Sequence, residues 1–253
     1  MSEAVTAFDV NLLLGRTDWR PVGTESATEM LATMDRFGIE RGLVSHLLAN
    51  VHDPQCGNAL LFAAVAGHEE RLLPSPVVDL NDGGAWKSRV CDWEAKGVRA
   101  LRLAPAFYRN SLAGDAAVEL ARVAMEHHWP VVVAVETVRG LPWVSGQPRH
   151  ALELARRFPD LPVIALGCSR SHWYDIVAAM AAAPNLYLDV TLIETGLALE
   201  QLVAAGFGGR LLHGTNYSAS YANVCMERVR HSGLSGAAQS AVLRDNAAGL
   251  FPA

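Results

Sequence analysis

Eight short runs of β-branched and apolar residues recur along this chain, each followed by a segment whose apolar residues return with helical period. Runs of that kind suit strands buried on both faces, and the amphipathic segments between them supply the covering layer, so the alternation predicts a parallel sheet wrapped by helices. The runs lie at 7–14, 42–47, 73–78, 98–103, 131–136, 163–167, 186–190 and 210–213. Helices are expected at 26–37, 55–66, 86–96, 115–127, 148–158, 172–182 and 197–205, with two more closing the chain at 221–231 and 235–250. Eight units predict that the sheet closes on itself as a single (β/α)8 TIM barrel over residues 1–253. One such barrel takes about 250 residues. An open doubly wound sheet is the competing architecture, and it calls for a glycine-rich phosphate turn after the first strand. Here that strand runs into LLLGRTDW, with no GxGxxG.

Punctuation agrees with the barrel. Gly38, Gly97 and Gly206 stand just after helical segments, where a left-handed cap is needed, and Pro130 and Pro162 stand just before strands. The longest irregular stretches follow the first, fourth and fifth strands, at 15–24, 105–114 and 137–147. Loops after strands carry the chemistry of TIM barrels, so these are the expected lids. Hydrophobic residues make up 51% and charged residues 19% of the chain, which gives material for a large core and no disorder signature. The net charge of −5 is spread without a lysine or arginine cluster, which argues against nucleic acid or a membrane surface as partner. Cys56, Cys91, Cys168 and Cys225 show no CxxC spacing, as suits free thiols in a reducing compartment. The N-terminus MSEAVTAFDV lacks a signal pattern, and the most apolar stretch, 176–190, is broken by Pro184 and Asn185. A cytoplasmic protein is the expectation.

Six segments, in order, resemble the amidohydrolase-related family of TIM-barrel hydrolases and decarboxylases. FDVNLLLG is similar to that family's D-x-H-x-H-x-G first strand, and MDRFGIERGLVSH to its passage from first helix to second strand. GVRALRLAPAF resembles its fourth strand and NLYLDVT its seventh. LLHGTNYS resembles its eighth, which usually ends GTD or GSD, and DNAAGLF its closing N-A-x-x-L-F helix. The resemblance spans nearly the whole chain and implies the same barrel, but the metal motif departs. Carried over residue by residue, the two first-strand histidines fall on Asn11 and Leu13 and the fifth-strand ligand on Ala134. The sixth-strand histidine falls at or beside Cys168, and the eighth-strand aspartate on Asn216. Leucine and alanine offer no lone pair, and neutral asparagine is a poor substitute for a carboxylate on zinc. A hydrolytic metal needs several good ligands to lower the pKa of its bound water. The expectation is no metal and no other cofactor.

Strand alternation then assigns the inward side chains. They are Ala7, Asp9, Asn11 and Leu13 on strand one, Ala100, Arg102 and Ala104 on strand four, Val132, Ala134 and Glu136 on strand five, and Tyr187, Asp189 and Thr191 on strand seven. His46, Cys168 and Asn216 end strands two, six and eight. Arg102 is expected either to anchor a substrate carboxylate or to be neutralised internally by Asp9 or Asp189. Glu136 is a candidate general base or acid if burial raises its pKa, against a solvated carboxylate. His46 is a second acid–base candidate, against a structural histidine. Cys168 is a candidate nucleophile if its thiol pKa is lowered, against the commoner buried, inert cysteine. By resemblance Asp189 orients rather than reacts. Asn11 and Asn216 are expected to hydrogen-bond substrate, since an amide takes no proton. Tyr108, Trp143 and Tyr217 lie on post-strand loops and would wall an apolar pocket or pack as lids. A metal site of Cys168 and His172 with Asp189 or His46 can be drawn, but the sequence fixes no third ligand. His213 has helix-facing parity, which is odd for a polar residue.

Two functions follow. One is a metal-independent amidohydrolase-like enzyme acting on a small, carboxylate-bearing molecule: a hydrolase of a lactone or ester, or a lyase. His46 and Glu136 would then be its acid–base groups and Arg102 its anchor. The resemblance allows this, because the superfamily includes lactonases that work without metal. The other is a catalytically inactive barrel that binds a metabolite or serves as an interaction scaffold, expected if Leu13 and the aromatic loops plug the mouth. A homo-oligomer is expected of the family, although no patch marks an interface.

Overall fold

The structure, a computed structural model, describes residues 6–17, 20–135 and 147–252. The eight apolar runs form eight parallel staves: β1 (Ala7–Thr17), β3 (Ile39–His46), β4 (Leu72–Pro74), β5 (Leu101–Leu103), β6 (Val131–Ala134), β7 (Val163–Leu166), β8 (Leu186–Asp189) and β9 (Leu211–Leu212). A further strand, β2 (Arg20–Thr24), pairs antiparallel with the end of β1 and turns the stretch expected to be irregular into a hairpin. Hydrogen bonding groups the strands as β2-β1-β3-β4 and β5-β6-β7-β8-β9. Two seams join these arcs into a (β/α)8 barrel. Between β4 and β5, Pro74 and Pro76 interrupt the ladder because proline lacks a donor. The seam is carried by Arg102 N donating to Pro76 O (2.9 Å) and Val78 N donating to Arg102 O (2.8 Å). Between β9 and β1, Val10 N donates to His213 O (2.9 Å).

The helices among the described residues are α1 (Ala27–Phe37), α2 (Leu47–Val51), α3 (Pro54–Val65), α4 (Val90–Ala95), α5 (Pro105–Tyr108), α6 (Asp115–Glu126), α7 (Pro148–Arg157), α8 (Trp173–Ala182), α9 (Ala198–Ala204), α10 (Asn223–Arg230), α11 (Gly236–Ser240) and α12 (Asn246–Leu250). Local chemistry sets their ends. The Ser26 side chain accepts from Glu29 N at the start of α1, and Gly38 closes it in the left-handed region at φ 70°. The long segment expected at 235–250 is α11 and α12 joined by a π-helical turn, Ala241–Asp245. No described helix is long and apolar enough to cross a membrane.

Alternation sorts the wall into two faces. Phe8, Val10, Leu43, Leu73, Ala100, Val132, Ile164, Leu166 and Leu212 fill the interior, while Leu12, Leu14, Val44, Leu72, Leu101, Leu103, Val131 and Val133 pack against the helices. Phe251, just past α12, stacks on Phe8 with ring centroids 5.5 Å apart and floors the barrel.

One strand corrects the expected inward set. In the β1–β3 pairing, Asp9 faces Gly42 and Leu12 faces Val44, three steps against two, so β1 carries an extra residue. Below this bulge the interior is filled by Phe8 and Val10, not by Ala7 and Asp9; Ala7 packs on the helix side. Asp9 instead pins the bulge: its carboxylate accepts from Asn11 N (2.8 Å), Thr215 N (3.2 Å) and Thr215 Oγ1 (2.6 Å).

Candidate functional site at the barrel mouth

Above its apolar filling the lumen turns polar. Arg102, set between helix-facing Leu101 and Leu103, points inward and is 1% exposed. Its Nη2 donates to Asn11 Oδ1 (3.1 Å), and Asn11 Nδ2 donates to Asp189 Oδ2 (3.3 Å). Asp189 Oδ1 accepts from Thr191 N (2.8 Å) and Thr191 Oγ1 (2.5 Å), and Oδ2 also accepts from Gly167 N (3.3 Å). Gly214 seals this cluster, since a Cβ there would stand 2.6 Å from Asp189 Oδ1. Asn11 therefore relays between a buried cation and a buried anion that do not touch. Burial lowers the Arg102 pKa to about 10, partly opposed by Asp189, so the guanidinium stays charged near neutrality. Burial raises both Asp189 and Asp9, the latter to about 7 against hydrogen bonds from Thr215 and Asn11. The cation is under-satisfied as well as buried: Arg102 Nε has no hydrogen-bond partner.

His46 ends β3 as the N-cap of α2, its Nδ1 accepting from Leu48 N (3.2 Å). A neutral imidazole whose Nδ1 accepts must carry its hydrogen on Nε2. Burial lowers the His46 pKa, partly opposed by Glu25, which favours that neutral form. In this arrangement His46 offers an N–H donor rather than a base. Its ring lies against Gly15, where a Cβ would come within 2.9 Å of Cε1.

The other expected site residues are dispersed. Cys168 does not share the inward face of Leu166: Gly167 between them has φ 70°, which shifts the alternation, and Cys168 packs with Ala165, Ile176, Ala179 and Met180 under α8. Tyr217 is half-buried, with its hydroxyl against Thr33 Oγ1 of α1 (3.1 Å). The Tyr108 hydroxyl donates to Ala49 O (2.6 Å), and burial with Asp79 and Asp53 nearby raises its pKa. Asn216 is buried at a left-handed φ of 54° after β9. Glu136 and Trp143 lie outside the described residues. Leu13 does turn inward, into an apolar cluster with Leu47, Val51 and Ala219.

The structure separates the four thiols cleanly: Cys56 and Cys91 are exposed, Cys168 and Cys225 buried. Two thiols per native chain are expected to react with Ellman's reagent, and all four in denaturant. Prompt labelling of Cys168 in the native protein would contradict its placement in the apolar layer.

The metal implied by the resemblance does not fit these residues. Both polar atoms of the Asn11 amide are engaged, Leu13 and Ala134 carry no donor, and Cys168 faces the helices. The Cys168–His172 alternative also fails to assemble: His172 Nδ1 accepts from Ser169 N (3.2 Å), and no three His, Cys, Asp or Glu side chains among the described residues converge as a metal site.

His213 has the parity read from the sequence. It is fully buried on the helix side near Arg228 and Arg230, and neither ring nitrogen has a partner. Ser75 escaped sequence reasoning altogether; it lies two residues above interior Leu73, where period-two alternation would have found it.

Solved structures with this architecture are numerous and distant. A probable 2-pyrone-4,6-dicarboxylic acid hydrolase from Acinetobacter baumannii, with citric acid bound, superposes at a TM-score of 0.71 with 11% identity, covering 97% of this chain and 99% of that one. A 5-carboxyvanillate decarboxylase from Sphingomonas paucimobilis gives 0.76 at 12% identity over 98% and 99%. A 2,6-dihydroxybenzoate decarboxylase from Rhizobium gives 0.73 at 13% identity over 98% of each chain. At such identities the likeness establishes the fold. No curated protein matches the sequence. The sequence profile of the amidohydrolases does match it, over residues 17–253. With the barrel, its ordered motifs and that near-complete match in agreement, this chain belongs to the amidohydrolase family.

Proposed function

We propose that the chain is an enzyme acting on a small carboxylate-bearing molecule without a bound metal, by hydrolysis of a lactone or ester or by a lyase step. The observation that supports this best is Arg102: a buried guanidinium with one hydrogen bond to Asn11 and an unpartnered Nε keeps donor capacity for an anion. The similar structures named above are hydrolases and decarboxylases whose names or bound molecules are small carboxylic acids. In this reading Arg102 anchors the carboxylate. Glu136, assigned to the inward face by sequence alternation, moves the proton, and His46 Nε2–H donates to a carbonyl oxygen as negative charge develops there. A lactone or ester needs less electrophilic help than an amide, so it is the preferred hydrolytic substrate.

The test is a turnover screen of carboxylated lactones, esters and decarboxylation substrates, with and without chelator. Activity is expected to survive chelation, and elemental analysis to find well under one zinc, manganese or iron per chain. Glu136→Gln is expected to lower turnover by about 10²–10⁴-fold while leaving the fold intact. One tightly held metal per chain would overturn the metal-free reading, and full activity in Glu136→Gln would overturn the role of that residue.

The apolar cluster of Leu13, Leu47, Val51 and Ala219 favours a second reading, a catalytically silent barrel that binds a metabolite or a partner. It predicts that no member of the screen is turned over.

A further inference from the structure

Two polar atoms deep in the wall of the lumen have no partner: Arg102 Nε and Ser75 Oγ. They belong to one side of the barrel. Ser75 N donates to Val44 O (2.8 Å) and so continues the β4 ladder, and alternation from helix-facing Leu72 and interior Leu73 turns the Ser75 hydroxyl inward. Ser45 on β3 is its neighbour, one step beyond the Val44–Pro74 pair. The Ser45 oxygen accepts from Asn50 Nδ2 (2.9 Å), which leaves its own hydrogen to donate. Arg102 begins on β5 and ends at Asn11 on β1, so its side chain crosses the lumen in front of β4 and β3, the strands that carry Ser75 and Ser45. Three donors, one of them cationic, thus line one side of the lumen below the mouth.

We infer that this corner is the seat of the substrate's carboxylate, with Arg102 Nε–H donating to one oxygen and Ser75 Oγ–H to the other, and Ser45 as a further donor. The inference rests on the carboxylate reading above and deepens it by naming the groups that select the anion. Buried donors left unpaired are rare because each one costs stability, and a ligand oxygen supplies the missing partner. Charge favours a monoanion. Asp189 and Asp9 are buried close to the guanidinium's far end and to each other, so a dianion such as phosphate meets repulsion that a single planar carboxylate avoids. Asn50 Oδ1, buried and unpartnered beside Ser45, is an acceptor that a hydroxyl on the ligand would satisfy.

Isothermal titration of the intact protein with acetate, propionate and benzoate tests the site, with benzamide and inorganic phosphate as controls. At least one carboxylate is expected to bind, with both controls at least about tenfold weaker. Ser75→Ala is expected to weaken that carboxylate about tenfold, the effect of one hydrogen bond to a charged group. It is also expected to leave the melting temperature unchanged or higher, because the hydroxyl it removes has no partner in the free protein. Carboxylate affinity unmoved by Ser75→Ala, or no binding of any of the three acids, overturns the inference. So does a lowered melting temperature with unchanged binding, the mark of a structural water at Ser75. Ser75-dependent binding without turnover of any substrate would count against the enzyme and leave this site standing. Turnover whose KM ignores Ser75→Ala would do the reverse.

Discussion

Arg102→Met is expected to destabilise the barrel by about 3–5 kcal/mol, the usual cost of removing one partner from a buried charge network. Methionine keeps an apolar, unbranched stem like that of arginine and removes the guanidinium. Asn11 Oδ1 then loses its donor, and Asp189 loses the cation it reaches through the relay. The loss has a pH signature. Asp189 is already raised above the ordinary carboxylate range by burial, and without Arg102 it rises further. A carboxyl whose folded pKa is raised contributes its full stability below its unfolded pKa, and loses it as the pH climbs through the folded one. Extending that climb to higher pH makes the variant's deficit larger near pH 8 than near pH 5. Urea denaturation at both values reads it. A deficit independent of pH would show that Asp189 does not depend on Arg102.

His213 contributes a stabilising acid limb that is opposed by buried carboxyls. Burial lowers its pKa from 6.5 to about 3, with Arg230 and Arg228 adding to the shift. A group depressed in this way contributes stability that is present above the unfolded pKa and is lost as the pH falls toward the folded one. The slope is about 1.4 kcal/mol per pH unit, which amounts to about 3 kcal/mol lost on going from pH 6.5 to near pH 4. Asp9 works in the opposite direction: held at about 7 when folded, it binds a proton more readily in the native state than in the unfolded chain. The wild-type profile is therefore flattened by cancellation, and a single variant exposes both terms. His213→Phe is expected to match the wild type near neutrality, since the two nitrogens it removes have no partners. Below pH 6.5 its advantage should grow by about 1.4 kcal/mol per unit. Parallel profiles for the two proteins would show that His213 titrates normally, and its burial would then need another account.

What the sequence made legible was the wall. All eight staves overlap the expected runs, with β1, β3 and β4 reaching beyond them, and the faces of β5 and β6 follow simple alternation, which is why the inward face of Arg102 was legible. The failures share a cause: a single residue that resets the count. The extra residue in β1 left Asn11 inward but moved Ala7 and Asp9 off the interior face, and left-handed Gly167 turned Cys168 into the helix layer. Neither event leaves a mark in one sequence, because the same letters serve a regular strand. His46 was found by position, but which of its nitrogens is engaged depends on a backbone N–H two residues on. The Arg102–Asn11–Asp189 relay was half legible: the charges were paired in the reading, but the amide between them was not.

The floor of the barrel bears on how the molecule is made. Phe251 stacks on Phe8, and the seam between β9 and β1 runs through Val10 and His213, so both closures join the first strand to the far end of the chain. A nascent polypeptide emerging from the ribosome holds its first strand long before those partners exist. Until His213 and Phe251 are available, Phe8 and Val10 remain uncovered apolar surface, and the unpaired edge of β1 invites the wrong neighbour. The ring therefore cannot shut before β9 and Phe251 have emerged, which makes the nascent chain, rather than the closed barrel, the form most in need of a chaperone.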